Sequence, residues 1–128
     1  MSNPTITSFS PADDATAVAT TSNIVLNFSE AVDVESGNIV IYKASDDSVV
    51  ETIDVTSNQV TGSGSTQITI NPSNDFAVQT EFYVQIDATA LDDTAGNSYA
   101  GISDKTSLSF TTESAKIDLG KLSNGIIY

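Results

Sequence analysis

The 128-residue chain contains no cysteine, no histidine, no tryptophan and no arginine. Each absence removes chemistry. Without cysteine there is no disulfide, no thiol nucleophile and no thiolate metal site. Without histidine the nucleophilic triads, the two-histidine zinc sites and the imidazole acid–base pairs cannot be built. Four lysines face 17 acids, for a net charge of -13. That balance opposes binding to nucleic acid, whose phosphates would be repelled, and opposes docking on anionic membranes. No apolar run approaches the roughly 18 residues that a transmembrane helix needs. The opening Met1-Ser2-Asn3-Pro4 lacks the basic region and apolar stretch of a signal peptide. The chain reads either as cytosolic or as a module of a longer secreted protein, and we expect the second.

Hydroxyls fill the space that charge leaves. Ser and Thr together number 34, which suits strands with one solvated face. Only 16% of residues are charged, so solubility rests on these hydroxyls and on the acidic excess. Hydrophobic residues make up 39%, enough for the core of one domain.

The hydrophobic period is two. Ile24, Leu26 and Phe28 alternate with Val25 and Asn27. Ile39 and Ile41, Ile53 and Val55, Ile68 and Ile70 continue the pattern. So do Phe82, Val84 and Ile86, and then Leu108 and Phe110. With Thr5–Phe9 this predicts seven half-buried strands and an inward core drawn from them. Ser10-Pro11-Ala12-Asp13-Asp14, Ser45-Asp46-Asp47-Ser48, Gly62-Ser63-Gly64-Ser65, Asn71-Pro72-Ser73-Asn74-Asp75 and Asp92–Asn97 punctuate the strands as turns or loops. Ala12–Thr21 forms no apolar stripe and predicts no helix. The spacing indicates an antiparallel sandwich rather than a βαβ fold.

Five segments then match a known pattern. They are Pro4–Pro11 (PTITSFSP), Asn23–Val32 (NIVLNFSEAV), Thr80–Ile86 (TEFYVQI), Ala90–Asn97 (ALDDTAGN) and Ser107–Thr112 (SLSFTT). In this order they resemble the bacterial Ig-like domain of the S-layer-protein type. The resemblance implies an all-β, seven-stranded antiparallel Greek-key Ig-like sandwich over residues 1–113. It also implies tandem use in secreted or cell-surface proteins, adhesins among them. One departure is Phe82, where the family often carries Tyr. Residues 114–128 read as a linker or the start of a following module. The alternative is a tail that adds an edge strand or is disordered. Within them, Asn124-Gly125 between apolar residues is a hairpin signal.

Few residues offer chemistry. Serines lack a base, and Gly62-Ser63-Gly64-Ser65 is no nucleophile elbow. A glycosidase needs paired carboxylates and a sugar platform, and tryptophan is absent. Lys43 and Lys105 lack the apolar framing that an intramolecular isopeptide bond requires. The threonines do not repeat in the register of an ice-binding face. Calcium is the remaining candidate, because it takes six to eight oxygens. In an Ig topology the loop after the second strand and the loop after the sixth lie at one end. Glu30, Asp33, Asp92, Asp93 and the Asn97 side chain are the expected ligands, with Glu35 nearby. Asp13-Asp14 and Asp46-Asp47 are expected at the opposite end as a second, weaker acid group. The acidic residues could equally serve as turn caps and as a solvated surface.

The expected function is non-catalytic: a spacer or stalk repeat, extracellular or at the cell surface, with neighbouring modules as partners and calcium as its only candidate cofactor. The rival is an adhesive module that recognises protein or glycan, or an accessory domain of an extracellular enzyme. The Asp92–Lys105 loop discriminates. If Tyr99 stands exposed the binding reading gains, and if it folds back on the sandwich the spacer reading gains.

Overall fold

The period-two pattern builds two five-stranded sheets, seen in a computed structural model that describes residues 3–114. No helix occurs among the described residues. The first sheet contains β1 (Ile6–Ser10), β3 (Ile24–Val34), β6 (Val60–Thr61), β7 (Ser65–Ile70) and β9 (Leu91–Asp93). Its order is β1-β3-β7-β6, with β9 paired to the far end of β3. The second contains β2 (Ala15–Val18), β4 (Asn38–Lys43), β5 (Ser48–Asp54), β8 (Glu81–Ile86) and β10 (Ser109–Thr112). Its order is β2-β10-β8-β4-β5.

The inward faces meet as predicted. Ile24, Leu26, Phe28, Ile39, Ile41, Ile68, Ile70, Phe82, Val84, Ile86, Leu108 and Phe110 are all buried. Phe76 joins them from a loop. Its ring centroid lies 5.0 Å from Phe82 and 5.2 Å from Phe110. The alternation rule missed it because it sits outside any strand.

Two expectations need correction. The described residues form ten strands, not seven, and they are not all antiparallel. Strand β2 pairs parallel to β10, with Phe110 opposite Ala15 and Thr112 opposite Val18. The chain therefore leaves the first sheet after β1 and crosses to the second, and the Ser10–Pro11 peptide at the crossing is cis. Strand β2 escaped the sequence pattern because it has a bulge. Thr16 and Ala17 are both exposed, and Ala17 has φ 55°. Strand β6 has only two residues, too short for a periodic signal. Strand β9 hid in an acidic stretch read as loop. It pairs Leu91, Asp92 and Asp93 with Val34, Asp33 and Val32. Glu30 and Asp33 are thus strand residues. The expected linker or module start lies, apart from Ser114, outside the described residues.

Gly62 is more constrained than a flexible loop requires. It has φ 98°, and a Cβ there would run into the carbonyl oxygen of Gln67. Gly64 has φ 90° but open space around it.

Two outcomes test this packing. Phe110→Ala should cost about 3–5 kcal/mol in denaturant unfolding, because it empties the centre of an aromatic group. Exposed Val49→Ala should stay within about 0.5 kcal/mol. Gly62→Ala should destabilise more than Gly64→Ala, since only the first meets backbone as well as an unfavourable φ. Equal losses at the two glycines would refute the close approach.

Candidate functional site

Strand alternation decides where the acids point. Val32 is buried in the core and faces Asp93 across the β3–β9 pair. Asp93 therefore points inward, while Asp92 and its partner Asp33 point outward. The five expected calcium ligands divide between two faces of one sheet.

On the inner side, Asp93 is 4% exposed and its carboxylate is already engaged. Oδ1 accepts the backbone N–H of Ala95 at 2.9 Å and of Asn97 at 2.8 Å. Oδ2 accepts Asn97 Nδ2 at 3.0 Å. Gly96, at φ 90°, lets the chain curl around this acceptor. The Glu30 carboxyl also comes within hydrogen-bond reach. The Asn97 side chain leads the interactions that hold Asp93 below the usual carboxylate range; burial works the other way. Asn97 thus serves Asp93 as a donor and is not offered as a free oxygen.

On the outer side, Asp33, Glu35 and Asp92 crowd together. The Asp33 carboxyl hydrogen-bonds Glu35 and, by that bond first and its charge second, raises the Glu35 pKa. Asp92 Oδ1 accepts the Ser98 hydroxyl at 2.8 Å. Asp33 Oδ1 is buried without a partner. Among the described residues, no three acids are grouped so as to hold a metal ion.

The other acid pair is equally committed. Asp13 Oδ1 accepts the backbone N–H of Ser109 at 3.0 Å, and the Ser109 hydroxyl lies 3.3 Å from both Asp13 and Asp14. Asp46 accepts the N–H and hydroxyl of Ser48. Asp47 binds Lys105 Nζ at 2.7 Å and the Tyr83 hydroxyl at 2.9 Å.

That last group was invisible in the sequence, where Lys105 lies 58 positions from Asp47. Tyr83 stacks on Tyr42 with centroids 4.8 Å apart and planes 11° from parallel. Burial first, and then the hydrogen bond to Asp47, pushes the Tyr83 pKa up to about 12. Lys105 and Asp47 are half exposed, so their ion pair adds little stability. They pin the β4–β5 hairpin and the loop before β10 over the outer face. Tyr99 folds back, 8% exposed, with its ring edge-on to Phe28 at 5.2 Å.

Two sheets, a chain that crosses from one to the other after its first strand and a shared aromatic core define an Ig-like β-sandwich. The chain belongs to the bacterial Ig-like domain family, whose model matches residues 1–112. CopC from Methylosinus trichosporium OB3b has a similar fold, with a TM-score of 0.61 and 13% identity over 90% of this chain and 98% of that one. A part of the S-layer protein rSbsC is also similar, with a TM-score of 0.56 and 16% identity over 90% of this chain and 14% of that one. Such identities show the fold alone. No curated protein sequence matches this chain.

The acid geometry sets three measurable outcomes. Asp46, Asp54, Asp93 and Asp104 are all held below the usual carboxylate range by hydrogen bonds, chiefly from Ser48, Thr56, Asn97 and Ser107 respectively. A carboxylate with a depressed folded pKa stabilises above its unfolded value and loses that contribution as pH falls through the folded one. Denaturant midpoints should therefore hold from pH 7 to about 5 and fall below about pH 4. Glu35 has the opposite sign, so Glu35→Gln should raise the melting temperature at pH 7 and lose that gain once Glu35 is protonated. For calcium, the divided ligands predict a melting shift no larger than magnesium gives at matched ionic strength. A calcium-specific shift abolished by Asp93→Asn would reinstate the five-residue site.

Proposed function

We propose that this chain is a non-catalytic spacer or stalk module of a secreted or cell-surface bacterial protein. The observation that carries the reading is the fate of the Asp92–Lys105 loop. Tyr99 is packed against Phe28 and presents no aromatic patch to a ligand. Three further observations support it. Among the described residues the exposed large hydrophobics are Val49, Val50 and Val78, too few for a broad apolar face. The Ser109 hydroxyl meets only carboxylates, with no histidine in the chain to complete a nucleophilic triad. The family and the S-layer neighbour are those of bacterial surface architecture.

The adhesive reading has one specific feature in its favour, the Tyr42–Tyr83 stack. Yet Tyr83 is only 3% exposed. Its hydroxyl is spent on Asp47. Aromatic binding platforms need an open face and a free polar edge.

The test is a binding and turnover screen on the whole chain. Ester, glycoside, peptide and phosphate substrates should stay at background. Cell-wall glycans and surface proteins should show no saturable binding. Saturable binding lost in Tyr42→Ala would establish the adhesive module instead. Turnover abolished by a single Asp or Glu substitution would overturn the non-catalytic reading.

A further inference from the structure

Charge is missing from one face of the sandwich. The described residues include 16 acids and two lysines. Residues 3–12, 15–29 and 55–74 hold none of them. The fold brings these stretches together in the first sheet, where they supply β1, β6, β7 and residues 24–29 of β3. The acids on that sheet's strands, Glu30, Asp33, Asp92 and Asp93, all gather at its β9 end.

The outward side chains of this face are already ordered. Ser8, Asn27 and Gln67 form one row across β1, β3 and β7. Val25, Thr69 and Thr61 form the next across β3, β7 and β6. Their sequence neighbours Leu26, Phe28, Ile68 and Ile70 point into the core. Asn27 Nδ2 donates to Ser8 Oγ at 3.0 Å, and Gln67 Nε2 donates to Asn27 Oδ1 at 3.0 Å. Side chains bonded to one another lose little freedom when a partner covers them.

Depletion of charge is what marks the centre of a docking surface. Electrostatics then selects the partner. A basic partner finds no carboxylate here and would go to the Asp46-Asp47 hairpin or to Glu35 and Asp92. Two copies of this chain, each of net charge -13, repel one another. On this face they can approach with no carboxylate between them. We propose that the outer face of the first sheet is a contact surface for the same face of a second copy. A two-fold arrangement lays the acidic β9 end of each copy over the uncharged far end of the other. A parallel one would stack Asp33 and Asp92 on their equivalents. Four strands about 4.8 Å apart and about five residues deep cover roughly 300 Å² per copy, well below the ~800 Å² of a standard interface. The contact is therefore weak, and it acts between copies already held side by side. It goes beyond the spacer reading, since a spacer needs no lateral contact.

The experiment is a dilution series on the full chain, followed by amide NMR. From dilute to millimolar protein, the resonances of Ser8, Asn27, Gln67 and Thr69 should move with concentration. Those of Tyr42, Val49 and Thr52 on the second sheet should stay fixed. Sodium chloride should enlarge the movement, because it screens the repulsion between copies, whereas an ion-paired interface would weaken. Gln67→Glu sets a carboxylate in the face and should abolish the movement. Thr61→Glu should do the same without touching the bond to Asn27. Thr52→Glu adds equal charge at an exposed position of the second sheet and should leave the movement intact. Resonances that ignore concentration overturn the proposal. So does a movement that salt diminishes, or one that Thr52→Glu removes as fully as Gln67→Glu. A neutral oligosaccharide that moves the same four resonances in dilute protein would assign the face to a glycan and overturn it too. A chain that stays solitary at every concentration leaves the spacer reading untouched, because the ligand and turnover screen above is read separately.

Discussion

The register of β3 governs this molecule. Its 11 residues pair with β1 and β7 along the first stretch and with β9 along the last. Ile24, Leu26, Phe28 and Val32 all enter the core from it, with at most 4% exposure. A slip of one residue would turn all four to solvent. It would also bring Asp33 inward in place of Val32. The free-energy difference between those two registers is that of burying four large apolar side chains against burying polar ones. Everything that pairs with β3 inherits its register, including the acids on β9.

That inheritance explains the acidic character better than a ligand would. A chain with this excess of carboxylates would repel itself if they were idle. Many are employed as local acceptors instead. Asp46, Asp54, Asp93 and Asp104 each take a backbone N–H two residues ahead. Asp87 takes the N–H of Asn38 from another strand, and Asp13 takes that of Ser109. Each satisfies a donor that a turn or strand end leaves unpaired. Asp33 differs from these, with one buried oxygen unpartnered. It is also the residue that faces Asp92 and crowds Glu35.

Legibility in the sequence followed the range of each interaction. Alternation is local, so strand-borne core residues such as Ile24, Ile41, Ile68 and Phe110 could be read without a structure, while Phe76 and Tyr99, which reach the core from loops, could not. Turn chemistry is local too, and the Asp46-Asp47 hairpin sits where the sequence placed it. The Asp47–Tyr83–Lys105 group joins three segments by contacts that no spacing encodes. Strand β2 was lost because a bulge at Ala17 broke its period and because its partner lies at the other end of the chain. The candidate metal ligands were legible as residue types and as neighbours in the fold. Their separation was legible as well, for Asp92 and Asp93 are adjacent in a strand and must face opposite ways. Reading that stretch as loop concealed it.

A fold shared at 13% and 16% identity with two differently named proteins says little about use. Use has to be argued from the surface left over once the fold is satisfied. Here little is left over. Tyr99 closes the core beneath its loop, and Tyr83 and Lys105 bind the loop before β10 to the hairpin. Glu51 accepts the N–H of Ser73 and a donor of Gln59 and so ties two more loops to β5. A binding module leaves polar groups and apolar surface on its loops unspent, to meet a partner. Loops tied back to the sheets by their own polar groups give that up in exchange for rigidity. Rigidity between two chain ends is what a spacer requires of its material.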